Sequence, residues 1–269
     1  MNTTWRWSVL SDGWTEAHEA VAIAGGSWRK KVRFHATAVL LEHARHGRVL
    51  FDTGYSPRFF AETARWPYRA YRQVTPVTLT EPRGILGVLE RRGVPAGTVQ
   101  HIIVSHWHAD HVGGLRDYPQ AQLHTCRAAW DSLQGLSRFA ALLQAVLPGL
   151  IPEDAARRLH WISEGTDVFG DGSLTVLELP GHAVGQIGVR FLAEDGRPVL
   201  LAADACWLSA AYRENRLPHP VTRFLHDWPA YRRSLDRLHR LHLAEPELRI
   251  IPSHCPEIYP ADSSPRGES

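Results

Sequence analysis

Three histidines and an aspartate lie within six residues of one another, and these residue types bind metal ions. They stand in the stretch Ser-His-Trp-His-Ala-Asp-His-Val-Gly-Gly, where the candidate ligands are His106, His108, Asp110 and His111. Imidazole and carboxylate groups bind zinc and similar divalent metals at neutral pH. The apolar run 101–104 predicts a buried strand directly before them. The two glycines allow a tight turn, so we expect the short side chains to converge on one point.

Other candidate ligands follow apolar, strand-like runs later in the chain. They are His182, Asp204 and His254, and Asp52 follows the run 49–51 in the same way. Each alone is typical of a satisfied polar residue in a loop, and Asp52 alone is typical of a turn. Their shared placement instead predicts one edge of a layered α/β fold, where functional sites are built. Excluding Asp52, the set has five histidines and two carboxylates, enough for two metals that share one carboxylate.

This arrangement resembles the metallo-β-lactamase superfamily of dinuclear metal hydrolases. The resemblance rests on the motif His106-x-His108-x-Asp110-His111, followed by Gly181-His182, Ala203-Asp204 and Ser253-His254, with Phe51-Asp52-Thr53-Gly54 upstream. These elements occur in the family's order and span about three quarters of the chain. The resemblance implies an α/β fold, a four-layer αββα sandwich, with the site at one edge of the sandwich.

The resemblance also implies a role for each candidate ligand. A first metal would be held by His106, His108 and His182, a second by Asp110, His111 and His254, and both would be bridged by Asp204. The carboxylate of Asp52 would hydrogen-bond to the metal-binding loop and orient it. Zinc is the default metal, and iron or manganese would suit the same ligands. A hydroxide bridging the metals would attack a carbonyl substrate, and Asp110 or Asp204 would pass the proton to the leaving group.

The substrate expected from the resemblance is a lactone or an ester, as in the lactonase-like branch of the family. One position departs from that branch, because Trp207 stands where those lactonases carry a tyrosine, and Tyr212 is too far along to replace it. A phosphodiesterase or nuclease is the first alternative, with phosphate contacted by Arg58, Arg65, Arg69 and Arg72. A metal-containing member that binds a ligand without catalysis is the second alternative.

We predict a single domain over residues 1–260 and a disordered tail over 261–269. Two segments, 55–80 and 126–160, are predicted to be inserted near the site. The first mixes aromatic and arginine side chains, which suits a cover over the site, a homodimer contact, an anion site or a self-packed loop. The second is predicted to be mostly helical, either as core or as a cap. Cys206 and Cys255 are predicted to be small buried residues rather than ligands.

The composition excludes several classes of protein. The 269 residues carry a formal charge of +2 and three cysteines, which gives no general attraction to nucleic acid and no disulfide framework. Neither a signal peptide nor a membrane-spanning run is evident. We therefore expect a cytoplasmic protein that acts on a small molecule, without nucleic acid or membrane as a partner.

Overall fold

The computed structural model describes residues 4–259, so the predicted tail over 261–269 lies outside the described residues. Ten strands occur in this range: β1 Thr4–His18, β2 Lys31–His43, β3 Gly47–Phe51, β4 Val99–Ile103, β5 Gln122–Thr125, β6 Leu159–Trp161, β7 Leu174–Glu178, β8 Ile187–Ala193, β9 Pro198–Ala203 and β10 Arg249–Pro252. The α-helices are α1 Glu19–Ala22, α2 Arg58–Glu62, α3 Tyr68–Val74, α4 Ile85–Arg91, α5 Ala109–Val112, α6 Arg127–Asp131, α7 Arg138–Leu143, α8 Ser209–Arg213 and α9 Trp228–Ala244.

The strands form two halves that meet at the first strand. Their hydrogen-bonded order is β10-β9-β8-β1-β2-β3-β4-β5-β6, and β7 pairs with β8. Strand β1 makes a long antiparallel pairing with β2, but only the parallel pairs Thr4–Leu192 and Trp5–Ala193 connect it to β8. The chain thus forms one sheet from β1 to β6 and a second from β7 to β10, and β1 links them.

Alternation along the strands shows how the layers pack. In β9, Val199 and Leu201 belong to the central core shared by both sheets. Their neighbours Leu200 and Ala202 face the opposite way, into a second apolar cluster with α8 and α9. Since successive side chains of a strand point to opposite faces, the second sheet has its partner sheet on one side and helices on the other. The result is the predicted α/β sandwich of two sheets between helices.

The structure corrects one prediction, because the segment 126–160 is not mostly helical. It contains the short helices α6 and α7, two single turns of 3₁₀-helix and the strand β6. Pro148 begins one of those turns, and Gly135 adopts a positive φ of 72° before α7. These residues interrupt the backbone hydrogen bonding that a longer helix requires.

Most other elements agree with the sequence-based predictions. The apolar runs 34–41 and 49–51, joined by the turn 45–48, predict a hairpin, which is the β2–β3 pair. The apolar face over 227–243 predicts a helix, and α9 spans it with a shift of one residue at each end. The segment 81–92, with a proline near its start and Gly93 after its end, predicts a helix. The observed helix is shorter, because Gly84 has a positive φ of 61° and α4 begins only after it. No helix within residues 4–259 has both the length and the hydropathy that a membrane span requires.

Candidate metal centre

The loop after β4 carries the cluster of histidines toward the end of the sheet. His108 has an extended backbone and precedes α5, a single helical turn that holds Asp110 and His111. Gly113 packs so closely that an added Cβ would lie 2.6 Å from the carbonyl oxygen of Gly54. A side chain at this position would therefore push the loop away from the turn that follows β3.

Three histidines from two parts of the chain form a first group. The ring centroids of His106 and His108 are 4.4 Å apart, and those of His108 and His182 are 4.7 Å apart. Nε2 of His182 lies 3.0 Å from Nδ1 of His108. One nitrogen atom from each of the three residues lies within 4.8 Å of the others, which is the spacing required to share a metal ion.

A second group consists of Asp110, His111 and His254. Oδ2 of Asp110 lies 3.6 Å from Nε2 of His111 and 3.5 Å from Nε2 of His254. Again one potential ligand atom from each residue lies within 4.8 Å of the other two. His254 comes from the loop after β10, so this group also joins distant parts of the chain.

The carboxylate of Asp204 lies between the two groups. Its Oδ2 is 3.3 Å from Nε2 of His182 and 2.9 Å from Nε2 of His254. Its Oδ1 is 3.3 Å from Nε2 of His111. The structure therefore brings together all seven residues that the sequence singled out as candidate ligands.

Asp52 lies behind the cluster and fixes the orientation of the loop. This fully buried carboxylate accepts hydrogen bonds from the backbone N–H of Ser105 at 2.8 Å and from the hydroxyl of Ser105 at 2.7 Å. It also contacts Nδ1 of His111 at 2.8 Å. A proton on that nitrogen would leave the lone pair of Nε2 facing Asp204 and Asp110, which is the tautomer that could bind a metal.

His254 and Asp204 are also held by the backbone around them. Nδ1 of His254 lies 2.6 Å from the carbonyl oxygen of His35, which directs its Nε2 into the cluster. Ala203, directly before Asp204, has a φ of 47°, and Asp52 has a φ of 60°. Such left-handed conformations are uncommon outside glycine, and here they occur where a strand ends at a carboxylate of the site.

Burial keeps the first group of histidines neutral. It lowers the pKa of His106 and of His182 well below the usual range, and lowers that of His108 to about 4. A neutral imidazole offers the lone pair that a metal needs. The cluster has the chemistry that divalent metals require.

The second group differs because carboxylates surround it. Burial by itself lowers the pKa of His111, but the charges of Asp110, Asp204 and Asp52 outweigh it and raise that pKa well above its usual value. For Asp204 the two effects have the opposite signs. Burial raises the pKa of its carboxyl group, but the charges of the nearby histidines hold that pKa well below its usual range. Three acidic groups in a buried space favour a bound cation.

One buried atom supports the fit to a metal directly. Nε2 of His106 is buried and has no hydrogen-bond partner among residues 4–259, while its Nδ1 lies 3.0 Å from the hydroxyl of Ser105. A buried polar atom without a partner is costly unless something else binds it. The residues present, all nitrogen and oxygen donors, fit two divalent metals such as zinc, iron or manganese.

A cavity of about 460 Å³ opens over the cluster. Five of the candidate ligands line it: His108, Asp110, His182, Asp204 and His254. Its walls are mainly apolar, with Phe34 and Trp207 from the body of the fold. The segment 55–80 contributes Tyr55, Ala70, Tyr71, Val74 and Thr75, and the segment 126–160 contributes residues 142–145. A larger cavity of about 520 Å³ exists elsewhere, but none of the seven candidate ligands lines it.

Several other residues considered in the sequence lie away from the cluster. The arginines at positions 58, 65, 69 and 72 are absent from the described lining of the cavity. Arg58 instead pairs with Asp117 at 2.7 Å. Cys206 and Cys255 are buried free thiols, as predicted, and Cys255 contacts Ser209 rather than joining a ligand group. The hydroxyl of Tyr212 points to the backbone oxygen of Ile250, 3.4 Å away.

Two residues contact the site in ways that the sequence did not predict: Trp207, noted there only as a departure from the lactonases, and His226. Trp207 donates its indole N–H to Oδ2 of Asp204 at 3.2 Å, so this side chain holds the central carboxylate. The ring of His226 lies 5.0 Å from that of His182. The position of Trp207, three residues after Asp204, was a signal that the sequence did contain. His226 gave none, because its loop is brought to the site only by the fold.

The family profile of the metallo-beta-lactamase superfamily matches residues 32–254 of the chain. That match covers most of the sequence and includes every candidate ligand. The chain belongs to the metallo-beta-lactamase superfamily. It is an enzyme of the metallo-hydrolase class.

Named relatives agree with this membership. A probable metallo-hydrolase of Mycobacterium tuberculosis is 28% identical over 250 residues, which cover 82% of this chain and 75% of the relative. The N-acyl homoserine lactonase AttM of Azorhizobium caulinodans is 26% identical over 190 residues, 68% of each chain. Among solved structures, an N-acyl homoserine lactone hydrolase with N-hexanoyl-L-homoserine at its metal center matches with a TM-score of 0.73 and 21% identity. That match covers 96% of this chain and 95% of the other, and it shows a shared fold.

Proposed function

We propose that the chain is a metal-dependent hydrolase of lactones or esters. The observation that carries the proposal is the carboxylate of Asp204, which contacts histidines of both ligand groups at the base of a mainly apolar cavity. Relatives named as N-acyl homoserine lactonases support a lactone as the first substrate to test. An apolar wall suits a substrate that joins a hydrolysable carbonyl group to a hydrocarbon portion.

In this proposal the seven candidate ligands hold two metal ions. One ion would be held by His106, His108 and His182 and the other by Asp110, His111 and His254, with Asp204 available to both. When bound, two such cations, with zinc as the default and iron or manganese as alternatives, would supply Lewis acidity toward a carbonyl oxygen and a water that ionises at neutral pH.

Asp110 is the better placed of the two carboxylates to move a proton. Its side chain is 15% exposed, against 3% for that of Asp204, and both line the cavity. Oδ2 of Asp204 is moreover occupied by the indole N–H of Trp207. We assign to Asp110 the transfer of a proton from the attacking water to the leaving oxygen, with Asp204 fixed as the bridge.

The phosphodiesterase alternative has less support. It needs cationic side chains near the reacting phosphate, yet the described lining of the cavity includes neither lysine nor arginine. A phosphodiester would therefore meet apolar walls and the carboxylates of Asp110 and Asp204. Charge complementarity favours an uncharged ester or lactone.

A substrate panel on metal-reconstituted protein tests the proposed function. The panel contains an N-acyl homoserine lactone, a simple lactone, an aryl ester and a chromogenic phosphodiester, and elemental analysis reports the bound metal. We expect turnover of lactone or ester that depends on metal, and little turnover of the phosphodiester. Preferred cleavage of the phosphodiester would overturn the proposal, and a metal-loaded chain that is inert across the panel would favour the non-catalytic alternative.

Replacing ligands should separate metal binding from folding. We expect His108→Ala and Asp110→Ala to abolish turnover and lower the metal content, because each removes a donor from one group. The matched control is His160→Ala, at an exposed histidine of β6 that lies outside both groups. Circular dichroism should give the same folded spectrum for all three variants. Full turnover by a demonstrably metal-free His108→Ala protein would contradict the mechanism.

A further inference from the structure

The cavity over the candidate metal centre is lined by several side chains that can donate a hydrogen bond, namely Thr15, Thr75, Gln144, Trp207, His226 and two tyrosines. The N–H of Trp207 is directed to Asp204. Of the seven tyrosines in the chain, Tyr55 and Tyr71 line the cavity. Burial raises the pKa of both phenols, and the negative charges of Asp110 and Asp204 raise it further. Both tyrosines line the same cavity as the carboxylates of Asp110 and Asp204.

The two tyrosines form a pair with a fixed arrangement. Their hydroxyl groups share a hydrogen bond, which raises the pKa of Tyr55 and lowers that of Tyr71, as expected if Tyr55 donates. The ring of Phe59 contacts both, at centroid distances of 5.0 Å to Tyr55 and 5.7 Å to Tyr71. Tyr55 is only 2% exposed. Gly84 packs so closely against its backbone that a Cβ added at position 84 would lie 2.5 Å from the carbonyl oxygen of Tyr55.

The members of the pair differ in what they can offer to a substrate. Tyr55 is enclosed, and its hydroxyl group is hydrogen-bonded to that of Tyr71. Tyr71, on α3, is only partly buried and faces the same cavity as His108 and Asp110. With its oxygen accepting from Tyr55, the proton of Tyr71 remains available for a group bound in the cavity.

We propose that Tyr71 is a further catalytic residue, whose hydroxyl donates a hydrogen bond to the leaving oxygen of the lactone or ester. This inference rests on the proposed function. When the acyl carbon–oxygen bond breaks, its electron pair goes to the leaving oxygen, and the proton that neutralises this oxygen comes from the attacking water by way of Asp110. Tyr71 stabilises the charge that develops on the oxygen and keeps its own proton throughout. Tyr55 is a positioning residue that acts through Tyr71.

Substrates that differ in their leaving groups test this role. An alkyl ester or lactone releases a strongly basic oxygen, whereas a p-nitrophenyl ester releases a weakly basic one that needs little stabilisation. For Tyr71→Phe we expect kcat to fall on the order of 10²-fold with the lactone, the usual effect of losing one such donor, and to change little with the p-nitrophenyl ester. An unchanged kcat on the lactone, or the same loss on both substrates, would overturn the assignment.

The same helix provides the matched control. Tyr68 precedes Tyr71 by one helical turn, is buried, and lies under the guanidinium group of Arg138 rather than lining the cavity. Tyr68→Phe should therefore leave kcat unchanged for both substrates. Elemental analysis and circular dichroism should show equal metal content and equal folding for the two variants.

Product binding gives a readout that does not depend on turnover. In the hydroxy acid released from a lactone, the former leaving oxygen is a hydroxyl group. Calorimetry should show that the unmutated chain binds this acid more tightly than the same acid without the hydroxyl, and that Tyr71→Phe has lost the preference. A preference that persists in Tyr71→Phe would contradict the contact. Failure of the proposed function is distinguishable, because the unmutated chain would then hydrolyse none of the esters or lactones.

Discussion

At the scale of single residues, Asp52 shows how much a local interpretation can miss. Its sequence context, a polar residue after a strand, is that of an ordinary turn former. In the fold its carboxylate is completely buried and contacts both Ser105 and His111. The sequence could nominate the seven candidate ligands, because imidazole and carboxylate groups rarely recur at strand ends in such a pattern without binding a metal. The local context of Asp52 gave no sign of its contact with His111, 59 residues away, and only the resemblance to the family implied that this carboxylate orients the loop.

Asp52→Asn tests this contact. The amide replaces one acceptor oxygen by an N–H₂ group, which cannot accept from both Ser105 and His111. We expect metal affinity to fall by about 10- to 100-fold, the usual effect of losing such a supporting group, while the fold persists. Competition with a chromogenic chelator measures the affinity.

A second aspartate–histidine pair provides the control for that measurement. Asp171 contacts Nε2 of His46 at 2.6 Å, and neither residue belongs to the ligand groups. Asp171→Asn removes the same kind of contact and should leave the metal affinity unchanged. Equal affinities in Asp52→Asn and the unmutated chain would rule out the orienting role.

At the scale of secondary-structure elements, strands were predicted better than short helices. The strands are apolar runs buried in the sandwich, so their pattern is visible in the sequence. Helices α2 and α3, of five and seven residues, were not predicted. Helices so short are unstable alone and form only because the fold packs them, so their sequences carry little helical signal.

The strand ends were also predicted only in part. Asp52 and Asp204 directly follow β3 and β9, as expected. His106, His182 and His254 instead come two to four residues after their strands, in loops whose backbone carries them to the site. The sequence therefore predicted the edge of the sheet but not the path of each loop.

Gly181 tests how closely one of these loops packs on a helix. It precedes His182 with a φ of 127°, and an added Cβ would lie 2.1 Å from the backbone nitrogen of Tyr231 in α9. Gly181→Ala must therefore displace either α9 or the loop. We expect a loss of unfolding free energy of at least about 3 kcal/mol and weaker metal binding, measured by denaturant unfolding and chelator competition.

Gly165 provides a control in which an alanine would meet the strain of a positive φ but no steric clash. It also has a positive φ, 74°, but an added Cβ there would have no neighbouring atom within 4 Å. Gly165→Ala should cost only about 1–2 kcal/mol and leave metal binding intact. Comparable losses in the two variants would show that the approach of Tyr231 is not the limiting contact.

At the scale of the whole molecule, the candidate ligands come from both sheets. His106, His108, Asp110 and His111 follow β4 of the first sheet, whereas His182, Asp204 and His254 follow β7, β9 and β10 of the second. Within residues 4–259, strand pairing links the two sheets through two residue pairs between β1 and β8, and the backbone N–H of Ile187 in β8 also donates to the carbonyl oxygen of Ser105 at 3.0 Å. Bound metal would thus hold the two sheets together at one edge.

Removal of metal should therefore destabilise the whole fold. A ligand that binds only the folded state raises its stability, so we expect a chelator to lower Tm by several degrees. Differential scanning calorimetry with and without the chelator measures the shift. The same treatment should have a much smaller effect on His254→Ala, which has lost one donor from the second sheet. An identical shift in both proteins would exclude this coupling between the sheets.

The stability of the fold should also fall in mild acid because of a histidine away from the metal centre. Nε2 of His124 lies 3.1 Å from Nδ1 of His101, and burial, with smaller effects of His101 and His160, lowers the pKa of His124 from 6.5 to about 3. Between these values the unfolded chain binds a proton that the folded chain does not. Unfolding free energy is therefore lost as the pH falls below 6.5, by about 2 kcal/mol at pH 5.

The variant His124→Gln isolates this effect. Its unfolding free energy should fall less than that of the unmutated chain between pH 7.5 and pH 5, with a difference of about 2 kcal/mol. Denaturant titrations at the two pH values measure it. His18→Gln, at an exposed histidine of β1, should behave like the unmutated chain. Parallel pH profiles of His124→Gln and the unmutated chain would refute the explanation.

The walls of the cavity and the ligands beneath it are encoded by different stretches of the chain. Residues 55–80 and 142–145 line the opening, whereas the candidate metal ligands stand after strands of the two sheets. Mutations of these wall residues other than Tyr55 and Tyr71 can change which molecules enter without removing a candidate metal ligand or the proposed hydrogen-bond donor. The protein is therefore organised so that selection, natural or in the laboratory, can alter substrate range while retaining the catalytic apparatus.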